Sequence, residues 1–88
     1  MIDSSVWRIE ILARVDKRLA RIPRQERKRI LTAIFRLREN PFKYDLKQLH
    51  GRPLWRLRVG GWRVLFRMDR EKQTLYAVSV RTRGDVYK

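Results

Sequence analysis

Between Val6 and Ile11 the side chains alternate, with Trp7, Ile9 and Ile11 on one side and Arg8 and Glu10 on the other, which is the period of a half-buried strand. From Leu12 the period changes. Leu12, Val15, Leu19 and Ile22 lie on one helix face, Pro23 interrupts, and Ile30, Ala33, Ile34 and Leu37 make a second stripe that runs out near Asn40-Pro41. Pro23 suits the first position of the second helix, so the two stripes predict a helical hairpin. No clean period follows between Phe42 and Pro53, which predicts a loop carrying Lys43, Lys47, His50 and Arg52. Then Trp55, Leu57 and Val59 alternate with Arg56 and Arg58, and beyond Gly60-Gly61 Trp62, Val64, Phe66 and Met68 alternate with Arg63, Leu65 and Arg67. Two alternating runs joined by two glycines are a strong hairpin signal. After the polar stretch Asp69 to Thr74, the run Leu75 to Thr82 predicts a last strand, with Tyr76, Val78 and Val80 on one face and Ala77, Ser79 and Arg81 on the other.

The element order is therefore β-α-α-β-β-β. It predicts an α+β fold in which a helical hairpin packs on one face of a largely antiparallel four-stranded sheet. No linker, repeat or low-complexity segment interrupts the chain, so residues 1–88 are expected to form one domain with one modest core; at this length folding buries roughly 60–65% of the surface. Trp7, Trp55 and Trp62 all fall at apolar-face positions and are expected to be core residues.

Charge changes this picture. The chain has 23 Lys and Arg against 9 Asp and Glu, a formal charge of +14. A small domain needs a net charge of only about 2–8 for solubility, so the excess implies an anionic partner. Seventeen of the cations are Arg. A planar guanidinium grips phosphate with two hydrogen bonds, which favours nucleic acid over a membrane surface. No run reaches the length of a spanning helix, and the first residues lack the basic-then-apolar order of a secretory signal, so a cytosolic protein is expected. There is no Cys, and the single His50 cannot build a His-based zinc site, so neither metal nor cofactor is expected.

A two-residue turn at Gly60-Gly61 pairs Val59 with Trp62, Leu57 with Val64, and Arg58 with Arg63. Like charges directly opposite are destabilising, so stability alone does not explain two arginines there. Arg56 and Arg67 extend the same face, and a neighbouring last strand brings in Arg81 and Arg83. The expected result is a cationic concavity opposite the helices, built to hold phosphate and to stabilise charge developing on it. Arg24, Arg27, Lys28, Arg29, Arg36 and Arg38 on the helices fall elsewhere, either touching backbone phosphates of a large RNA or simply solvating the helix.

The segment Leu54-Trp55-Arg56-Leu57-Arg58-Val59-Gly60-Gly61-Trp62-Arg63-Val64-Leu65-Phe66 and the ending Arg81-Thr82-Arg83-Gly84-Asp85-Val86-Tyr87-Lys88 resemble the RelE family, within the RelE/ParE superfamily of type II toxins. Asn40-Pro41 and Leu49-His50-Gly51 add to the likeness, which spans essentially the whole chain. The resemblance implies a RelE-like fold and a ribosome-dependent, metal-independent endoribonuclease that cuts mRNA through attack of a 2′-hydroxyl on the adjacent phosphate. It also implies a cognate RelB-like antitoxin that joins the toxin in a hetero-oligomeric complex, its acidic, partly disordered segment folding on the basic surface.

On this model Arg58, Arg63, Arg83 and Tyr87 match the catalytic positions, with Arg81 as a substitute for Arg83. Arg56, Arg67, Arg81, Arg52 and Lys47 are expected to contact RNA. Since arginine is a poor proton acceptor, the general base would fall to Tyr87, as a phenolate that neighbouring arginines stabilise. Tyr87 could instead stack on a base or cap the core. The ParE branch, which shares the fold and poisons DNA gyrase, and a non-catalytic basic RNA-binding module are the two other readings. His50, beside Gly51, reads as a turn residue that lies near enough to the hairpin to meet RNA.

Overall fold

The structure, a computed structural model, describes residues 6–44 and 46–82. Strand β1 (Arg8–Ile11) leads into α1 (Ala13–Ala20) and α2 (Arg24–Arg36), followed by β2 (Leu46–Gln48), β3 (Trp55–Val59), β4 (Trp62–Asp69) and β5 (Thr74–Thr82). The strands form one sheet in the order β1-β5-β4-β3-β2. The architecture is the expected α+β one, but with five strands in place of four. Lys47 and its neighbours, expected in a loop, form β2, a three-residue edge strand that pairs antiparallel with β3. Three of the strand pairings are antiparallel, and β1 alone runs parallel to its neighbour, β5.

The helices form where the stripes lie. In α1, Val15 and Leu19 are buried, and the Leu12 carbonyl accepts the first bonds from the Val15 and Asp16 N–H groups at 2.9 and 3.1 Å. Asp16 in the first turn and Lys17 and Arg18 in the last complement the helix dipole. Pro23 sits one position earlier than expected, as the N-cap of α2, its carbonyl accepting from the Arg27 N–H at 2.9 Å. Pro23 has no N–H to leave unsatisfied, so it starts a helix without cost. Ile30, Ile34 and Leu37 are wholly buried beneath α2.

These apolar positions pack on Leu46, Leu57, Val64, Phe66, Leu75, Ala77 and Val80 from one face of the sheet. Trp7, Phe42 and Trp55 meet edge to face at the end of this core, with centroids 6.1 and 6.0 Å apart, and the Arg70 guanidinium lies 5.1 Å from the Phe42 ring. At the opposite end Trp62 ties the β3–β4 hairpin to the helices. Its indole N–H donates to Glu26 Oε1 at 3.3 Å, and Arg18 lies over its ring. All three tryptophans belong to or pack against the core, as their positions in the pattern imply. No helix among the described residues is long and apolar enough to cross a membrane.

The register of the β3–β4 hairpin is the one the sequence predicts: Val59 opposite Trp62, Arg58 opposite Arg63, Leu57 opposite Val64. Gly60 holds φ at +59°, the left-handed conformation a tight hairpin turn needs. In β5 the predicted facing is overturned in part. A bulge interrupts the β4–β5 ladder: Leu65 opposes Ser79, yet the next residue, Phe66, opposes Ala77. The extra residue, Val78, breaks the alternation. As a result Leu75, Ala77 and Val80 join the core, whereas Tyr76, placed with the core face by simple alternation, shares the other face with Arg67.

Candidate nucleic-acid interface

The sheet face away from the helices carries the cations in rows that cross the strands. Nearest the Gly60-Gly61 turn, Arg58, Arg63 and Arg81 occupy directly paired positions on β3, β4 and β5. The next row is Lys47, Arg56, Leu65 and Ser79, and the one after it is Arg67, Tyr76 and Glu10. Side chains at directly opposed positions stand about 5 Å apart, so each row is a continuous strip of contacts available to a ligand. Arg81 is braced by its own strand, its Nε donating to Ser79 Oγ at 3.0 Å. Arg56, Arg58 and Arg67 form no ion pair among the described residues. The sequence reading thus places Arg56, Arg58, Arg63, Arg67 and Arg81 on one face, and the structure puts them there.

Lys47 comes to the same face through β2, which a loop reading does not anticipate. Arg52 does not join the arginine row. It lies in the β2–β3 turn, with His50 and Gly51, at the end of the sheet away from Gly60-Gly61; the Arg52 N–H donates to the Leu49 carbonyl at 3.2 Å. Both Arg52 and His50 are exposed. Arg83 and Tyr87 lie outside the described residues.

The face is not uniformly charged. β1 ends at Ile11 opposite Ala77, where the Leu12 N–H donates to the Ala77 carbonyl at 3.1 Å. The chain then turns into α1, and a groove of about 730 Å³ opens beside the part of β5 that continues past β1. Leu12, Leu54, Leu65 and Val78 supply its apolar lining, and Arg14, Lys17, Arg18, Arg21, Arg67 and Arg81 its cations. Val78 is 8% exposed yet stands apart from the main core cluster. The groove joins the α1 cations to the arginine rows, a continuity that the linear pattern of hydrophobic residues does not reveal because it depends on where β1 stops.

Chemically, guanidinium groups at directly paired positions can bind a phosphate through charge-assisted, two-point hydrogen bonds and can stabilise additional negative charge on its oxygens. Glu10, the acid paired into the described rows, lies two rows from Arg58 and Arg63.

The chain matches the family model for the ParE toxin of the type II toxin-antitoxin system, parDE, over residues 9–87. A search of curated proteins finds no match. Among solved structures it is similar to a chain of the archaeal RelE–RelB complex from Pyrococcus horikoshii OT3, with 26% identity, coverage of 90% of this chain and 97% of that one, and a TM-score of 0.78. It is similar to a chain of the RelB–RelE antitoxin-toxin complex from Methanococcus jannaschii at 25% identity, covering 90% of this chain and 95% of that one, with a TM-score of 0.73. The toxin-antitoxin complex RelBE2 from Mycobacterium tuberculosis shares the fold at 21% identity, covering 94% and 98%, with a TM-score of 0.80.

Proposed function

This chain belongs to the ParE toxin family of type II toxin-antitoxin systems, and from that premise we propose that it is an endoribonuclease that cuts mRNA on the ribosome and is silenced by a RelB-like antitoxin. The observation that carries this reading is the row Arg58, Arg63 and Arg81, three guanidinium groups on neighbouring strands. Such a row tolerates its own repulsion best when phosphate sits on it. In the reaction, a ribose 2′-oxygen attacks the adjoining phosphorus, the bond to the 5′-oxygen of the next nucleotide breaks, and a 2′,3′-cyclic phosphate and a free 5′-hydroxyl result. Arg58 and Arg63, joined by Arg83, stabilise the pentavalent phosphorus oxygens. Tyr87, as the phenolate, takes the proton from the 2′-hydroxyl, and a water molecule gives a proton to the departing 5′-oxygen. Arg56, Arg67, Arg81, Lys47 and Arg52 hold the flanking backbone, and the ribosome supplies the alignment of message and toxin.

The antitoxin reading draws support from the relatives solved with RelB and from the formal charge of +14, which suits fast capture of an acidic segment. A second reading, inhibition of DNA gyrase, is favoured by the ParE name of the matching family model.

Primer-extension mapping of message in a cell-free translation reaction separates the two. New ends that require ribosomes, and that are lost with Arg58→Ala and Arg83→Ala, support the endoribonuclease. Intact message with normal translation, together with lost supercoiling in a gyrase assay, overturns it in favour of the second reading. Intact message under halted translation overturns it in favour of non-catalytic binding.

A further inference from the structure

Tyr76 is one of two Phe, Tyr or Trp rings among the described residues that are neither buried in the core nor in a ring contact; the other, the exposed Phe35, belongs to α2 and lies off the sheet. Trp7, Phe42 and Trp55 pack on one another, Tyr44 lies beneath Arg36 and Lys43, Trp62 is held by Glu26 and Arg18, and Phe66 is wholly buried. The half-buried Tyr76 ring has no hydrogen bond and no ring contact among the described residues. Its row neighbours are Arg67 on β4 and Glu10 on β1, each also without an ion pair among those residues. Among the described residues a cation, a carboxylate and the ring between them are thus left without internal partners, an arrangement that stability alone does not require. A nucleotide matches all three groups: a base has a π face for the ring, its backbone a phosphate for the cation, and most bases an amino edge for the carboxylate.

We propose that Tyr76, Arg67 and Glu10 form a nucleobase subsite on the open face, in which the ring stacks on a base, Arg67 holds an adjoining phosphate, and Glu10 accepts from the exocyclic amino group of the base. This inference rests on the RNA reading above and adds a specificity determinant to it. The subsite borders a groove of about 880 Å³, enough for a base and its sugar, that Tyr76 and Arg67 share with the cations Arg70 and Lys72 and the acids Asp69 and Glu71. Arg67 lies four residues along β4 from Arg63, which at the rise of a strand places it about 14 Å from the row assigned to the scissile phosphate. A short length of single strand therefore spans both. The β5 bulge is what brings the ring to this face; without it Tyr76 would fall among the core positions.

The same ribosome-dependent mapping reaction tests the subsite, run at limiting message with Tyr76→Leu, Tyr76→Phe, Tyr76→Trp and Glu10→Gln beside the wild-type chain. Leucine keeps apolar bulk on the strand but removes the π face, and thermal melts confirm that each variant folds. Cutting by Tyr76→Leu is expected to fall roughly five- to hundred-fold at limiting message, the range set by stacking one base. The Phe and Trp variants are expected to restore it. Wild-type ends should avoid uracil at one fixed position near the cut, and Glu10→Gln should relax that avoidance. Wild-type cutting with an unchanged rate and unchanged ends in a folded Tyr76→Leu overturns the subsite alone and leaves the ring to a protein partner. No cutting by the wild-type chain overturns the RNA reading and the subsite with it.

Discussion

Arg58 and Arg63 face each other across the β3–β4 ladder as directly paired positions on the open face of the sheet. Like charges directly opposite are destabilising, so stability alone does not account for placing two arginines there. Arg58→Thr replaces one cation with a residue that favours strands. It should raise the unfolding free energy by a few tenths to about 1 kcal/mol in urea titration, while abolishing ribosome-dependent cutting. A variant that loses stability and activity together would point to a structural role for Arg58 instead.

The hairpin turn offers a sharper backbone test. Gly60 adopts φ +59° and Gly61 does not require the left-handed region. Gly60→Ala should destabilise by about 1–2 kcal/mol, the penalty of a side chain in that conformation, and Gly61→Ala should be close to neutral. An added Cβ at Gly60 would meet the Arg29 side chain at 3.5 Å, ordinary contact, so the cost comes from the backbone and not from crowding. Paired chemical denaturation of the two variants measures it.

Gly60-Gly61 also marks where the sequence was most legible. The apolar positions on both flanks alternate without interruption, and one turn length is compatible with both, so the register and the shared face of Arg56, Arg58, Arg63 and Arg67 follow directly. β2 was hidden because its three residues expose two side chains and bury one, Leu46, too short a run to show a period. The bulge was hidden for a different reason. Tyr76 to Val80 alternates plausibly in either facing, and nothing in Ala77-Val78-Ser79 signals an extra residue; only the pairing with Phe66 and Leu65 reveals it. Tyr76 was missed as a site residue on that account. The catalytic readings of Arg83 and Tyr87 rest on resemblance, since both lie outside the described residues.

The bulge makes a prediction opposite to simple alternation. Ala77 is wholly buried and Tyr76 half-buried on the open face. Ala77→Lys places a charge among Leu75, Phe66 and Val80 and should prevent folding, or cost several kcal/mol in a chain whose whole stability is about 5–15 kcal/mol. Tyr76→Lys should melt within a few degrees of the parent. If the order of the two melting temperatures is reversed, β5 has no bulge and Tyr76 belongs to the core.

The last prediction separates phosphate contacts from base contacts by salt. Each phosphate neutralised on a single strand contributes about −0.7 to the slope of log K against log salt concentration. Arg56 has no ion pair among the described residues and lies in the row next to Arg58 and Arg63. Arg56→Ala should therefore weaken binding of a short single-stranded RNA about equally for all sequences and make the slope shallower by about 0.7. Tyr76→Leu should weaken the same binding in a base-dependent way and leave the slope unchanged, because stacking releases no counterions. Fluorescence titrations at several salt concentrations measure both quantities. Equal slopes for Arg56→Ala and the parent would remove Arg56 from the phosphate path, and a shallower slope for Tyr76→Leu would mean that its loss displaces Arg67, making the ring a support for the cation and not a seat for a base.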